Sequence, residues 1–139
     1  QQEVVKKDTV ANFNFEGFNV MAIDDNEINL IIINRSLQKK GISVKTFNNG
    51  IDALESLKAG THYDLIIVDL QMPEMSGFEF AEEVRKFSEI PIIASSADNN
   101  TETIEQALGT GMNDYLLKPH TPQDLYILLA QHLSYITEE

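Results

Sequence analysis

Nine residues, 65–73, with the sequence Leu-Ile-Ile-Val-Asp-Leu-Gln-Met-Pro, constrain what this chain can fold into more than any other stretch. Four apolar residues run without a polar break up to Asp69, which is typical of a strand buried on both faces of a parallel sheet. A Pro, a Ser and a Gly follow between Gln71 and Gly77 and predict a turn. Asp69 is therefore expected at the carboxyl end of a central strand, where open α/β sheets bind their ligands.

Other short apolar runs predict further strands, and helical spacing of apolar residues separates them. The predicted strands lie at residues 19–23, 42–47, 65–69, 91–96 and 114–117. Five strands alternating with five helices, joined by right-handed crossovers, form a parallel sheet with helices on both faces. The predicted fold is a flavodoxin-like, doubly wound (βα)5 domain with the strand order 2-1-3-4-5. Its cleft opens above strands one and three, where Asp24, Asp25 and Asp69 follow their strands.

Two helices carry predictions for individual side chains. Phe80, Val84 and Phe87 have helical spacing, and we interpret them as the core stripe of the third helix rather than a ligand pocket. The run 121–124, Thr-Pro-Gln-Asp, predicts the start of the last helix, with Thr as N-cap, Pro at the first helical position and Asp at the third.

The first part of the chain differs from the rest in composition. Residues 1–17 are largely polar, and we interpret them as a linker or N-terminal extension, with the folded domain at 18–139. At least one of Phe13, Phe15 and Phe18 is expected to dock on that domain. The chain begins with Gln1 and ends soon after the last helix, which is expected either of a domain that stands alone or of one excised from a hybrid kinase or a longer regulator.

Composition excludes several classes of function. The chain of 139 residues has no Cys, so a disulfide framework and thiolate metal sites are excluded. A net charge of −12 argues against direct binding of nucleic acid. No apolar run has the length of a membrane span, so no membrane contact by this domain is expected. These features predict a cytoplasmic domain. The same features are expected of a domain in the cytoplasmic part of a membrane-anchored sensor.

The acidic residues at the strand ends point to phosphoryl chemistry. Asp24, Asp25 and Asp69 would repel each other in one cleft, and a hard divalent cation relieves that repulsion. Mg²⁺ suits the site because it takes few carboxylates together with water and phosphate oxygens. Lys118 and Ser96, at two other strand ends, are suited to holding phosphoryl oxygens. Since no Ser or Cys paired with a base is evident, Asp69 itself is the predicted nucleophile toward phosphorus.

Four strand-end motifs in this order resemble the receiver domain of two-component response regulators. They are Asp24-Asp25, Asp69, Ser96-Ala97 and Lys118-Pro119. The resemblance extends from residue 19 to the last helix. The runs 25–29, Asp-Asn-Glu-Ile-Asn, and 111–116, Gly-Met-Asn-Asp-Tyr-Leu, are similar to receivers of hybrid sensor histidine kinases.

The resemblance implies a phosphoacceptor and a set of metal ligands. Asp69 would be the phosphoacceptor and a ligand of Mg²⁺. Asp25 would bind Mg²⁺ directly, and Asp24 mainly through water. The backbone carbonyl of Gln71 would supply a further ligand.

It also implies roles for residues around the phosphoryl group. Lys118 would pair with the phosphoryl group, while Ser96 and Tyr115 occupy the switch positions of the family. Asp98 stands at a variable position that faces the phosphoryl site and affects dephosphorylation. His120 follows Lys118-Pro119 where an apolar residue is more usual.

The implied function is that of a phosphoacceptor in a phosphorelay. The domain would take its phosphoryl group from a histidine kinase or a His-containing phosphotransfer domain and switch the conformation of a partner or attached domain. It would not act on a diffusible metabolite, although it supports its own phosphotransfer and dephosphorylation. A hybrid histidine kinase is the favoured parent, and a homodimer is compatible with this class.

Other interpretations stay open at this point. Asp24 and Asp25 are also typical of a helix N-cap followed by a solvated turn. Ser96 is also typical of a helix cap, and Tyr115 is also typical of ordinary core packing. A binding-only domain would keep the fold without accepting phosphate. A metal-dependent phosphatase with an Asp nucleophile would need an acid two residues later, where this chain has Gln71.

Overall fold

A computed structural model of the chain describes residues 13–137, with side chains described up to residue 134. The predicted linker or extension at 1–17 therefore lies mostly outside the described residues. Within them, strands and helices alternate strictly. The strands are β1 Asn19–Ile23, β2 Ser43–Phe47, β3 Leu65–Asp69, β4 Ile92–Ser96 and β5 Asp114–Leu117. The helices are α1 Glu27–Gln38, α2 Gly50–Lys58, α3 Gly77–Val84, α4 Thr101–Gly109 and α5 Pro122–Thr137.

The five strands form one parallel sheet in the order β2-β1-β3-β4-β5. This confirms the predicted fold and strand order. All side chains of β3 and β4 are buried, as expected for central strands covered on both faces. β2 is an edge strand with mostly exposed or half-buried residues, which explains its alternating sequence.

Helices cover the sheet on both faces and divide the core in two. One cluster of buried residues lies under α1 and α5, and the other lies under α2, α3 and α4. Successive residues of β3 belong to different clusters, because side chains alternate between the two faces of the sheet. Leu65 and Ile67 belong to the first cluster, and Ile66 and Val68 belong to the second. Burial of β3 on both faces is what its uninterrupted apolar run requires.

The segment before β1 packs on the first cluster, as its aromatic residues predict. Phe15 is buried, and its ring centroid lies 4.7 Å from that of Phe13 and 6.1 Å from that of Tyr126 in α5. Phe13 stacks on Phe18 with centroids 6.0 Å apart. The Tyr126 hydroxyl donates to the Ser36 carbonyl at 2.7 Å and joins α5 to α1 beside this aromatic group.

The helix ends confirm one side-chain prediction and correct another. The Thr121 hydroxyl accepts from the Asp124 N–H at 3.1 Å, and the Asp124 carboxylate accepts from the Thr121 N–H at 3.0 Å, as predicted for an N-terminal box. The predicted core stripe of α3 wrongly includes Phe87. Phe80 and Val84 are fully buried, but the Phe87 side chain is 47% exposed. Because α3 ends at Val84, helical spacing no longer decides where Phe87 points.

Candidate functional site

Three acidic side chains converge at the carboxyl edge of the sheet. β1 and β3 are neighbours with Ile23 opposite Val68, so Asp24 and Asp69 leave the sheet side by side. One carboxylate oxygen from each of Asp24, Asp25 and Asp69 lies within 4.8 Å of the others. Asp24 and Asp69 are buried, whereas Asp25 is exposed. The structure thus brings together the three acids that the sequence placed at this edge.

Lys118 reaches the same cluster from the end of β5. Its Nζ donates to Asp24 Oδ2 at 2.9 Å and lies 3.5 Å from Asp69 Oδ1. The Lys118 N–H donates to the Ser96 carbonyl at 2.8 Å, which fixes the start of this loop against β4. The Lys118–Pro119 peptide bond is cis. One ammonium among three carboxylates leaves two negative charges uncompensated.

Asp24 is held by several donors, one of which the sequence analysis did not assign. Its Oδ1 accepts from the Asn26 N–H at 2.9 Å, and its Oδ2 accepts from Asn29 Nδ2 at 3.1 Å as well as from Lys118. Asn29 is thus a positioning residue for the buried acid. The signal was present in the sequence, because an acid buried at a helix start needs side-chain donors within the first turn.

The environment of Asp69 opposes its ionisation. Burial raises the pKa of Asp69 from its ordinary 3.8 to about 6, with a smaller contribution in the same direction from Asp24, while Lys118 acts the other way. A hard divalent cation that binds the three carboxylates would compensate the two remaining negative charges and would favour the ionised form of Asp69. The donor set therefore fits Mg²⁺, with Asp25, Asp69 and Asp24 as the groups that could hold it.

The loop after Asp69 depends on a glycine that the sequence analysis treated only as a turn signal. The Gly77 N–H donates to the Leu70 carbonyl at 2.9 Å, and a Cβ at this position would stand 2.6 Å from the Asp69 carbonyl oxygen. Only Gly allows α3 to start this close to Asp69. The Gln71 N–H lies 3.5 Å from Asp69 Oδ1, and the Gln71 side chain is exposed. The role of the Gln71 backbone carbonyl as a metal ligand stays a prediction.

Ser96 and Tyr115, from β4 and β5, meet at one residue of the loop between β4 and α4. The buried Ser96 Oγ accepts from the Asp98 N–H at 3.1 Å. The Tyr115 hydroxyl donates to the Asp98 carbonyl at 2.6 Å. The two predicted switch residues are therefore connected through the backbone of Asp98, a link that no spacing in the sequence indicates.

The side chains of Asp98 and His120 take separate positions. The Asp98 carboxylate accepts from the Asn100 N–H and from Thr103 Oγ1, both at 2.8 Å, so it is directed to the start of α4. His120 lines a groove with Lys118, and burial lowers the pKa of its imidazole. The imidazole is therefore neutral at physiological pH.

Comparison with known proteins gives consistent results. The profile of the response regulator receiver domain matches residues 20–130. The peroxide stress-activated histidine kinase mak1 of Schizosaccharomyces pombe is 33% identical over 130 residues. That match covers 88% of this chain and 8% of the kinase, so the chain spans a small part of that relative. No helix within residues 13–137 is long and apolar enough to cross a bilayer.

Two solved structures are similar in both fold and sequence. The receiver domain of sensor histidine kinase PA1611 from Pseudomonas aeruginosa, with a magnesium ion in its active site cleft, has a TM-score of 0.79 and 30% identity. That alignment covers 85% of this chain and 98% of the other. The co-crystal structure of Saccharomyces cerevisiae Ypd1, a histidine phosphotransfer protein, with the receiver domain of Ssk1 matches with a TM-score of 0.79 and 32% identity, over 87% and 92% of the two chains.

Proposed function

Since this chain belongs to the response regulator receiver domain family, we propose that it accepts a phosphoryl group on Asp69 from a phosphohistidine and changes conformation in response. The observation that carries the proposal is the convergence of three acids within 4.8 Å, with Lys118 3.5 Å from Asp69. A nucleophilic carboxylate beside an ammonium, with negative charge left over for a divalent cation, suits transfer of a phosphoryl group.

In the proposed step, a carboxylate oxygen of Asp69 attacks phosphorus and forms an O–P bond. The P–N bond to the donor histidine breaks, and its electron pair goes to the imidazole nitrogen. Only the ionised carboxylate can attack; with a pKa of about 6, Asp69 is mostly ionised at neutral pH, and a cation bound beside it would favour that form further. Positioning and electrostatic stabilisation supply most of the catalysis in transfers of this kind.

The other site residues act on charge and orientation. Asp25, exposed at the mouth, would hold Mg²⁺ directly, Asp24 would do so through water, and the Gln71 carbonyl would complete the set. When bound, Mg²⁺ would neutralise charge on the carboxylates and the phosphoryl oxygens. Lys118 already contacts both buried acids, and its ammonium would pair with a phosphoryl oxygen after transfer.

The conformational response is proposed to run through the loop between β4 and α4. A phosphoryl oxygen would accept from the Ser96 hydroxyl, which now accepts from the Asp98 N–H. Redirecting that hydroxyl would draw the loop toward Asp69 and strain the bond from Tyr115 to the Asp98 carbonyl. Two populated states of α4, β5 and α5 would follow, and partners would distinguish them.

The biological setting is part of the same proposal. Similarity to mak1 and to the PA1611 receiver supports a hybrid histidine kinase as the parent, with this domain on its cytoplasmic side. The Ypd1–Ssk1 complex supports a His-containing phosphotransfer protein as partner. The domain would assist its own dephosphorylation without acting on external substrates. A homodimer is compatible with this setting.

Incubation with Mg²⁺ and phosphoramidate, a small phosphoryl donor, tests the proposal. We expect intact mass to increase by one phosphoryl group in the wild type and not in Asp69→Asn. An unlabelled wild type would indicate a binding-only domain. Phosphate release well beyond one equivalent from small phosphate esters would instead indicate a phosphatase, which the exposed Gln71 side chain disfavours because it offers no acid beside Asp69.

A further inference from the structure

α4 is held to the domain by very few buried side chains. Of its nine residues, Thr101–Gly109, only Ala107 is buried. The neighbouring α3, which covers the same face of the sheet, buries four of its eight residues. A helix with so few buried contacts shifts at a low free-energy cost. The position of α4 therefore depends on the contacts at its two ends.

Asp98, in the loop before α4, ties the start of this helix to the sheet. On the sheet side, its N–H donates to Ser96 Oγ at 3.1 Å and its carbonyl accepts from the Tyr115 hydroxyl at 2.6 Å. On the helix side, its carboxylate accepts from the Asn100 N–H and from Thr103 Oγ1, both at 2.8 Å. Because Asn100 is the N-cap and precedes the helix, the bond from Thr103 is the one that reaches into α4. Hydrogen bonds to a carboxylate are stronger than those between neutral groups.

The end of α4 is held by contacts that do not involve this loop. Met112, shortly after the helix, is buried in the second cluster. Arg85 donates from Nε to the Gly111 carbonyl and from Nη2 to Asn113 Oδ1, both at 2.9 Å. Asn113 Oδ1 also accepts from the Ile92 N–H, at the start of β4, at 2.8 Å. These contacts lie at the amino edge of the sheet, opposite the acidic cluster, so movement at the phosphoryl site does not act on them directly.

We propose that Thr103 is the positioning residue that makes α4 follow the loop, and that the helix pivots about its end at Arg85 and Gly111. This inference rests on the proposed function, in which phosphorylation draws the loop toward Asp69. Thr103 acts through the Asp98 carboxylate and touches neither the phosphoryl group nor the cation.

The movement follows from which bonds change and which persist. When the Ser96 hydroxyl turns to a phosphoryl oxygen, Asp98 loses that partner and moves with the loop. Its carboxylate keeps the bond from Thr103, so the first turn of α4 moves as well. A nine-residue helix is about 14 Å long, so a shift of about 2 Å at its start, with its end fixed, tilts it by about 8°. Without the Thr103 hydroxyl the loop still closes, but the helix is no longer drawn after it.

Three variants isolate the Thr103 hydroxyl. Thr103→Val removes it and keeps a side chain of nearly the same shape, whereas Thr103→Ser keeps the hydroxyl. Thr101→Val is the matched control, because Thr101 is exposed in the same helical turn. The wild type and all three variants should be labelled equally by phosphoramidate with Mg²⁺, since Thr103 lies outside the phosphoryl site.

NMR with Mg²⁺ and beryllofluoride, a phosphoryl mimic, measures the loop and the helix separately. Residual dipolar couplings of the α4 amides give the direction of the helix relative to the sheet. In the wild type, Thr103→Ser and Thr101→Val, we expect α4 to tilt by about 8°, with larger shifts of the amides of 101–103 than of Gly111 and Asn113. In Thr103→Val, the amide of Ala97 in the loop should keep its wild-type response, while the tilt falls to roughly one third or less of the wild-type value.

The outcomes separate this inference from the proposed function. Equal tilts in the wild type and Thr103→Val would overturn the role of Thr103. Loss of the Ala97 response together with the tilt, or failure of Thr103→Ser to restore the tilt, would show a merely structural bond and overturn it as well. Shifts at Gly111 and Asn113 as large as those at the start of α4 would overturn the pivot. Failure of phosphoramidate to label the wild type would remove the proposed function and this inference with it, whereas normal labelling without any tilt would overturn this inference alone.

Discussion

Asp69→Asn should stabilise the metal-free protein at alkaline pH and lose that advantage in acid. The Asp69 side chain is 10% exposed, and its burial beside Asp24 raises its pKa from 3.8 to about 6. The folded protein therefore holds this proton more tightly than the unfolded chain does. Ionisation of the carboxyl above that pKa costs folding free energy.

The size of the effect follows from the pKa change. One pKa unit corresponds to about 1.4 kcal/mol, so the rise to about 6 corresponds to roughly 3 kcal/mol of lost stability above pH 7. At pH 4 most of this cost is already gone, and it vanishes well below pH 3.8, where the carboxyl is protonated in both the folded and the unfolded state. Between these limits the free energy of unfolding falls as pH rises. Relaxation of the open cleft reduces the gain expected for Asp69→Asn to about 1–3 kcal/mol at pH 8.

Urea unfolding in EDTA, at pH 8 and at pH 4, measures this difference. Glu105→Gln, at an exposed position on α4, is the control and should change stability by less than about 0.5 kcal/mol at both pH values. Saturating Mg²⁺ should stabilise the wild type more than Asp69→Asn and so reduce the gap. If Asp69→Asn is no more stable than the wild type in EDTA at pH 8, the carboxylate is not electrostatically strained and this account of the site is wrong.

Three further predictions test the other site residues. Asp25→Ala should weaken Mg²⁺ binding more than Asp24→Ala, since the oxygens of Asp24 already accept hydrogen bonds from protein donors. Calorimetric titration with Mg²⁺ measures the two affinities, and equal affinities would contradict the prediction. Lys118→Ala should leave the fold intact by circular dichroism and slow labelling by phosphoramidate about tenfold or more; labelling at the wild-type rate would exclude its role. Ser96→Ala should keep that labelling but blunt the NMR response of Tyr115 to beryllofluoride and Mg²⁺, and a full wild-type response would exclude the hydroxyl as the coupling element.

The order of elements and the positions of the main acids were determined by the sequence alone. The unbroken run that ends at Asp69 belongs to a strand buried on both faces, and this apolar pattern is local information. Once five such strands alternate with helices, the right-handed crossover rule leaves few arrangements. In the observed order, Asp24 and Asp69 follow adjacent strands. Their meeting was therefore predictable without coordinates.

Contacts between side chains from distant parts of the chain were decided only by the tertiary structure. Lys118 and Asp24 are 94 residues apart, and their 2.9 Å bond depends on how far β5 lies from β1 across the sheet. The meeting of Ser96 and Tyr115 at Asp98 depends on the path of a loop. Periodicity tells which face of an element is buried, but it carries no information on loop paths or on where a helix stops. Phe87 was misplaced for that reason.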